Sequence, residues 1–131
     1  MSFLVAQNVT KIYGQGETAT AALRELNLTI DAGEFVAIMG ESGAGKSTLL
    51  SVLGAMNAPT SGQLLVDGID VYRLDHERRA MFRREFLGFV FQSFHLIPYL
   101  TAVENVMLPL TTAPLKEDLK LTRAMEALAR V

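Results

Sequence analysis

Phe35-Val36-Ala37-Ile38-Met39-Gly40-Glu41-Ser42-Gly43-Ala44-Gly45-Lys46-Ser47-Thr48-Leu49-Leu50 decides how the chain folds. Five apolar residues in succession have the pattern of a strand buried on both faces, as in a parallel sheet. A glycine-rich loop follows, and then Leu49, Leu50, Val52, Leu53 and Met56 keep a helical period. Residues 40–47 fit G-x-x-x-x-G-K-[ST] in the context it requires, between a strand and a helix. Glycines at 40, 43 and 45 let the backbone turn tightly and approach phosphate oxygens without a Cβ in the way. The amides of Ser42, Gly43, Ala44, Gly45, Lys46, Ser47 and Thr48 then form an anion nest at the positive end of the helix. Lys46 supplies a compact charge for the β- and γ-phosphates. The Ser47 hydroxyl suits Mg²⁺, and Thr48 adds a hydrogen bond on the α-phosphate side. A dinucleotide fingerprint fits less well, because Thr48 stands where its third glycine belongs.

Working outward, residues 3–13 are rich in strand formers, and Leu23 to Ile30 reads as a second strand with Leu26, Leu28 and Ile30 on one face. Leu64-Leu65-Val66 and Ile69 flank Asp67-Gly68, a hairpin signal. Pro59 to Gly62 is expected to stop the helix that follows the loop. Asp75 to Phe86 reads as a helix capped by Asp75, and Leu87 to Phe91 as a further apolar strand. Thr101 and Glu104 have capping-box spacing, and Lys116 to Val131 reads as an amphipathic helix.

Composition bounds the alternatives. The chain has 131 residues, half of them hydrophobic and 20 % charged, which excludes intrinsic disorder. A net charge of −2 argues against a protein that coats nucleic acid or an anionic membrane. Without cysteine there is no disulfide framework, thiolate metal site or Cys nucleophile. No apolar run approaches the roughly 20 residues of a membrane span, and a cytoplasmic location is expected. Arg73, Arg78, Arg79, Arg83 and Arg84 stand among Asp75, Glu77 and Glu85, the composition of a solvated helix face. His76 and His95 have no second ligand at metal spacing.

The order of motifs resembles the nucleotide-binding domain of ABC transporters, in particular the lipoprotein-releasing and macrolide-exporting branch, with the cell-division ATPase as a cousin. The residues that carry this are Asn8 to Tyr13, Met39 to Leu50, Pro59 to Gly62, Gly88 to Gln92 and Leu96 to Leu110. The resemblance implies an α/β P-loop NTPase fold, a RecA-like core with an antiparallel β subdomain. It implies that residues 1–92 form the β subdomain and P-loop core, and 93–131 the Q-loop and the start of a helical subdomain. Tyr13 falls where the family stacks an aromatic on adenine, and Gln92 at the Q-loop glutamine, beside Mg²⁺ or the attacking water. ATP and Mg²⁺ are the implied cofactors. Implied partners are a transmembrane permease, received through Gln92–Leu100, and a second copy of the ATPase, with no nucleic acid. The implied location is the inner face of the cell membrane. The activity implied is ATP hydrolysis powering export or lipoprotein release; a nucleotide-binding assembly module of the cell-division type is the alternative. A small-molecule P-loop kinase leaves the strands before the loop and the Phe89–Pro98 run unexplained.

Two further stretches mimic family motifs. Leu64-Leu65-Val66-Asp67 imitates a Walker B strand, but Gly68 stands where the catalytic Glu belongs. Thr60-Ser61-Gly62-Gln63 imitates the signature turn with one glycine too few, and it leads into a strand rather than a helix. The sequence therefore carries no general base, signature turn or switch histidine. It reads as the N-terminal portion of a larger ATPase domain that stops within the helical subdomain. No appreciable ATP turnover is expected from the chain alone, and the unfinished sheet is expected to leave it aggregation-prone, self-associated or rescued by the missing segment.

Overall fold

The computed structural model describes residues 2–131. The chain divides into two compact units, Met1–Gly88 and Phe89–Val131.

The first unit is built on a four-stranded sheet of order β2-β1-β3-β4. Its strands are β1 (Ser2–Tyr13), β2 (Thr20–Asp31), β3 (Ser61–Val66) and β4 (Ile69–Asp70). All pairings are antiparallel. Two helices belong to the same unit, α1 (Lys46–Leu53) and α2 (His76–Phe86). Leu4, Val5 and Ala6 face Val66, Leu65 and Leu64 on one side and Ile30, Thr29 and Leu28 on the other. The core joins Ala6, Val9, Leu23 and Leu64 of the sheet to Leu49 and Val52 of α1, Val71, and Phe82 of α2.

Strict alternation cannot place both Ala6 and Val9 on the core face. A bulge between them does so: the register shifts there and Asn8 takes a φ of +49°. The Asn27 side chain repairs the interrupted ladder, accepting from the Asn8 amide and donating to the Asn8 Oδ1, both at 3.0 Å. Glu25 (φ +43°) makes the matching break in β2, so Leu23 is buried while Leu26, Leu28 and Ile30 keep their common, half-buried face. On the other side Gly62 has φ +95°, and a Cβ there would lie 2.5 Å from the Asn8 carbonyl oxygen. The β3–β4 hairpin turns on Asp67 and Gly68, both at positive φ, as a type I′ turn demands.

Helix α2 starts as its sequence predicts, with the Asp75 carboxylate accepting from the Arg78 amide at 2.8 Å. Helix α1 is shorter than the apolar period suggests. It ends at Leu53 with Gly54 as C-cap, before Pro59 is reached, and Met56 is exposed outside it. Ala55 follows in a left-handed conformation (φ +57°), and Arg83 of α2 donates to its carbonyl at 2.9 Å. The Tyr72 hydroxyl lies 2.6 Å from the Val52 carbonyl oxygen and 2.9 Å from that of Asn57. Burial pushes this phenol up to about 12, partly offset by Arg79 and Arg83. A raised folded-state value favours the protonated form. Its contribution is full below the ordinary value of 10.0 and is lost as pH climbs toward about 12. Alkaline denaturation curves for the chain and Tyr72→Phe should therefore converge over that interval, the variant being less stable by about 1 kcal/mol below it.

Two expected strands are absent. Phe35–Met39 and Leu87–Phe91 belong to no ladder, and the described residues contain no parallel pairing. Phe35 is 97 % exposed and Val90 fully exposed. An apolar run reports a preference for burial. A strand exists only where a neighbour supplies the other half of its hydrogen bonds, and neither run has such a neighbour among the described residues.

The second unit contains α3 (Ala102–Met107) and α4 (Glu117–Leu128). The capping box is complete: Thr101 accepts from the Glu104 amide, and Glu104 accepts from the Thr101 amide at 2.7 Å. These bonds hold the Glu104 carboxyl below its usual range. Asn105 ties the preceding loop to α3, accepting from the Ile97 amide and donating to the carbonyls of Ile97, Leu100 and Thr101. This explains how an apolar loop keeps an ordered course. An open groove of about 450 Å³ lies along it, lined by Leu96, Ile97, Pro98, Leu100, Ala102, Asn105, Val106 and Leu128.

Candidate functional site: a phosphate-binding loop

Residues 40–45 form no regular element and lead directly into α1. Gly45 is the N-cap residue of α1 at φ +93°, and Gly43 stands at φ +82°, conformations that L side chains rarely adopt. Gly45 has a second constraint, because a Cβ there would collide with the Ala22 carbonyl oxygen of β2. We expect Gly45→Ala to lower nucleotide affinity about tenfold or more through displacement of the loop. A titration showing wild-type affinity in a folded variant would contradict that.

The start of α1 differs from the other helix starts. Asp75 caps α2 and Thr101 caps α3, while α4 carries Glu117 and Asp118 in its first turn. Helix α1 has neither a side-chain cap nor an acid in its first turn. Its partial positive charge and first-turn amides are therefore left for an external anion. Lys46 adds a full charge at the same place. Its ammonium folds over the loop and donates to the carbonyls of Gly40 and Glu41, each at 2.6 Å. An ammonium has three donors, so one is left for a phosphate oxygen. The loop itself is tightened by a hydrogen bond of 3.2 Å from the Ala44 amide to the Glu41 carbonyl.

Tyr13, Ala22, Ser42, Gly43, Gly45, Lys46, Ser47 and Thr48 line one cleft of about 540 Å³. Seven of these eight were singled out from sequence alone. Gly40 and Ala44 belong to the loop but not to the cleft wall; Gly40 contributes the carbonyl that holds Lys46. Ala22 was missed, because it enters through the position of β2 and nothing in an alanine marks it. Tyr13 is 43 % exposed and stands at the end of β1. Gln92 is exposed in the second unit, after Phe91, whose ring stacks on Phe89 and meets His95 edge-on.

No group of three acidic or histidine side chains suited to a metal exists among the described residues. The hydroxyl of Ser47 in the cleft fits Mg²⁺ of the kind that keeps its waters and arrives on phosphate oxygens, needing one or two protein ligands. The arginine cluster is spread among local partners. Arg73 pairs with Asp70 at 3.2 Å, Arg78 with Asp75 at 3.7 Å and Arg84 with Glu85 at 3.8 Å. Arg79 lies over the Tyr72 ring.

A glycine loop on an uncapped helix, a lysine above it and an aromatic beside it define an α/β P-loop nucleotide-binding protein. The chain belongs to the ABC transporter family, whose sequence model matches residues 23–131. It is 46 % identical over 130 residues to the lipoprotein-releasing system ATP-binding protein LolD of Geobacter metallireducens, covering 99 % of this chain and 58 % of that protein. It is 47 % identical over 124 residues to the macrolide export ATP-binding/permease protein MacB of Salmonella choleraesuis, covering 95 % and 19 %. The ATP-binding cassette MJ0796 of Methanocaldococcus jannaschii, solved as a dimer bound to ADP and Pi, superposes with a TM-score of 0.88 at 45 % identity. That match covers 96 % of this chain and 56 % of the other. The chain thus spans little more than half the length of its ATP-binding relatives. No helix among the described residues is long and apolar enough to cross a membrane.

Proposed function

We propose that the chain holds Mg-ATP in the cleft between Tyr13 and the 42–48 loop, for a protein that powers export or lipoprotein release through a membrane partner. The observation that carries this is the joining of an uncapped, positively charged helix start and an exposed aromatic ring in one cleft. Lys46 and the loop amides hold the phosphates. Ser47 holds Mg²⁺; the Q-loop role of Gln92, a residue of the second unit, rests on the family resemblance alone. Tyr13 carries the adenine, since an aromatic face accepts a base without needing a specific hydrogen bond. The metal supplies charge neutralisation for the phosphates when bound. Hydrolysis belongs to the whole protein, and no appreciable turnover is expected from this chain alone. Residues 1–92 act as the nucleotide-binding part and 93–131 as the part that meets the permease. The groove beside Leu96–Leu100 supports that division, with an apolar wall such as a partner's helix would cover. The dimeric state of the MJ0796 cassette supports a homodimer in the whole protein.

Calorimetric titration with ATP, with and without Mg²⁺, tests the reading. Tyr13→Ala should weaken ATP binding about tenfold, the usual worth of one base–aromatic stack. An unchanged affinity would remove Tyr13 from the site. Co-purification of the whole protein with a permease supports the transport role; recovery with division proteins instead would overturn it in favour of an assembly module.

A further inference from the structure

Tyr13 is the one aromatic residue in the cleft wall, and it ends a strand, where the backbone alone leaves its ring free to choose rotamers. Two contacts remove that freedom. Asn57 Nδ2 donates to the Tyr13 hydroxyl at 2.8 Å. The Lys11 ammonium lies over the ring, 5.2 Å from its centroid, and is itself tethered to the Ala58 carbonyl at 2.6 Å. Neither Lys11 nor Asn57 lines the cleft. Both hold the ring from outside the cleft lining.

Their own support is fixed to the core. The Asn57 amide donates to the Ser51 carbonyl of α1 at 3.1 Å, and its carbonyl receives the Tyr72 hydroxyl. Thr60 fastens the end of the segment to β1, donating its amide to the Thr10 carbonyl and accepting from the Ile12 amide. The same α1 that begins at the phosphate loop therefore ends in the segment that holds the ring.

We infer that Asn57 and Lys11 are positioning residues that hold the Tyr13 ring ready for a purine base, Asn57 pinning its hydroxyl and Lys11 covering one of its faces. This rests on the reading of Tyr13 as the adenine platform. An unpinned tyrosine would lose rotamer freedom on binding; a pinned one has already lost it during folding. A cation over one face also leaves only the other face for a base. Signal for this was present in the sequence only as an asparagine in a loop, indistinguishable from any turn residue.

The test is the ratio of affinities for ATP and for inorganic tripolyphosphate, which shares the loop but has no base, measured on the full chain with thermal melts as a folding control. Asn57→Ala should lower that ratio about three- to tenfold, the effect of one hydrogen bond. Tyr13→Phe keeps the ring and Asn57 but loses the same contact, so it should lower the ratio equally, even if Asn57→Ala folds poorly. The double variant should be no worse than either single one. Lys11→Met should also lower the ratio. If Tyr13→Ala lowers the ratio while Asn57→Ala and Tyr13→Phe leave it unchanged, the platform stands and the positioning role falls. If Tyr13→Ala has no effect either, the platform reading itself is overturned.

Discussion

Lys46→Ala is expected to reduce ATP affinity by about 10- to 100-fold, corresponding to one charge-assisted hydrogen bond in the phosphate cleft. The geometry explains why the effect falls on binding and not on the fold. Two of the three ammonium donors serve the Gly40 and Glu41 carbonyls, in an exposed loop where water can replace them. Lys46 contributes no apolar contact to the core formed by Ala6, Val9, Leu49 and Val52. The variant should therefore melt close to the parent while its calorimetric titration flattens. Because the lost term is electrostatic, the difference between parent and variant should narrow as salt is raised. Equal ATP affinity in the two proteins at low salt would remove Lys46 from the site and with it the phosphate-loop reading.

The second large effect is on stability. Leu64 is fully buried in β3, opposite Ala6 of β1. It belongs to the same core as Val9, Val52, Val71 and Phe82. Leu64→Ala should destabilise the first unit by about 2–5 kcal/mol, the sum of lost transfer energy and the cavity left behind. A small domain has only about 5–15 kcal/mol in total, so this change takes a large share of it. Denaturant unfolding followed by circular dichroism should show a lower midpoint at unchanged slope. Phe35→Ala provides the contrast. Phe35 is 97 % exposed, and its removal should change stability by less than about 0.5 kcal/mol. The reverse ranking of the two substitutions would mean that the 35–39 run, rather than β3, is the buried strand.

That contrast marks where sequence reasoning reached its limit. Local signals with a local cause were legible. Asp75 and Thr101 cap their helices because a side-chain oxygen meets an amide three residues on. The Asp67-Gly68 turn needs two positive φ values in succession. The loop carries Gly43 and Gly45 where the backbone turns left-handed, and Gly45 also where it meets β2. Signals with a distant cause were not legible. The bulge at Asn8 depends on Asn27 and Gly62, residues on two neighbouring strands. The runs 35–39 and 87–91 look like strands from their composition, yet composition contains no record of a partner. Helix α1 stops at Gly54 because a left-handed Ala55 and the Arg83 guanidinium take over its end, and neither is visible in a period count.

The sequence by itself determined the phosphate-loop motif: a glycine loop, a lysine and a hydroxyl stand at fixed spacing along one short stretch of backbone, so their geometry is written locally. It also determined the family, through the order of motifs along the chain. Only the tertiary structure decided what surrounds that loop. Ala22 closes its wall, Tyr13 borders the cleft, and Asn57 holds the Tyr13 hydroxyl from 44 residues away. The physical reason is range: hydrogen-bond spacing along one helix or turn is periodic in sequence, whereas contacts between strands and helices depend on how the whole sheet and its core settle together.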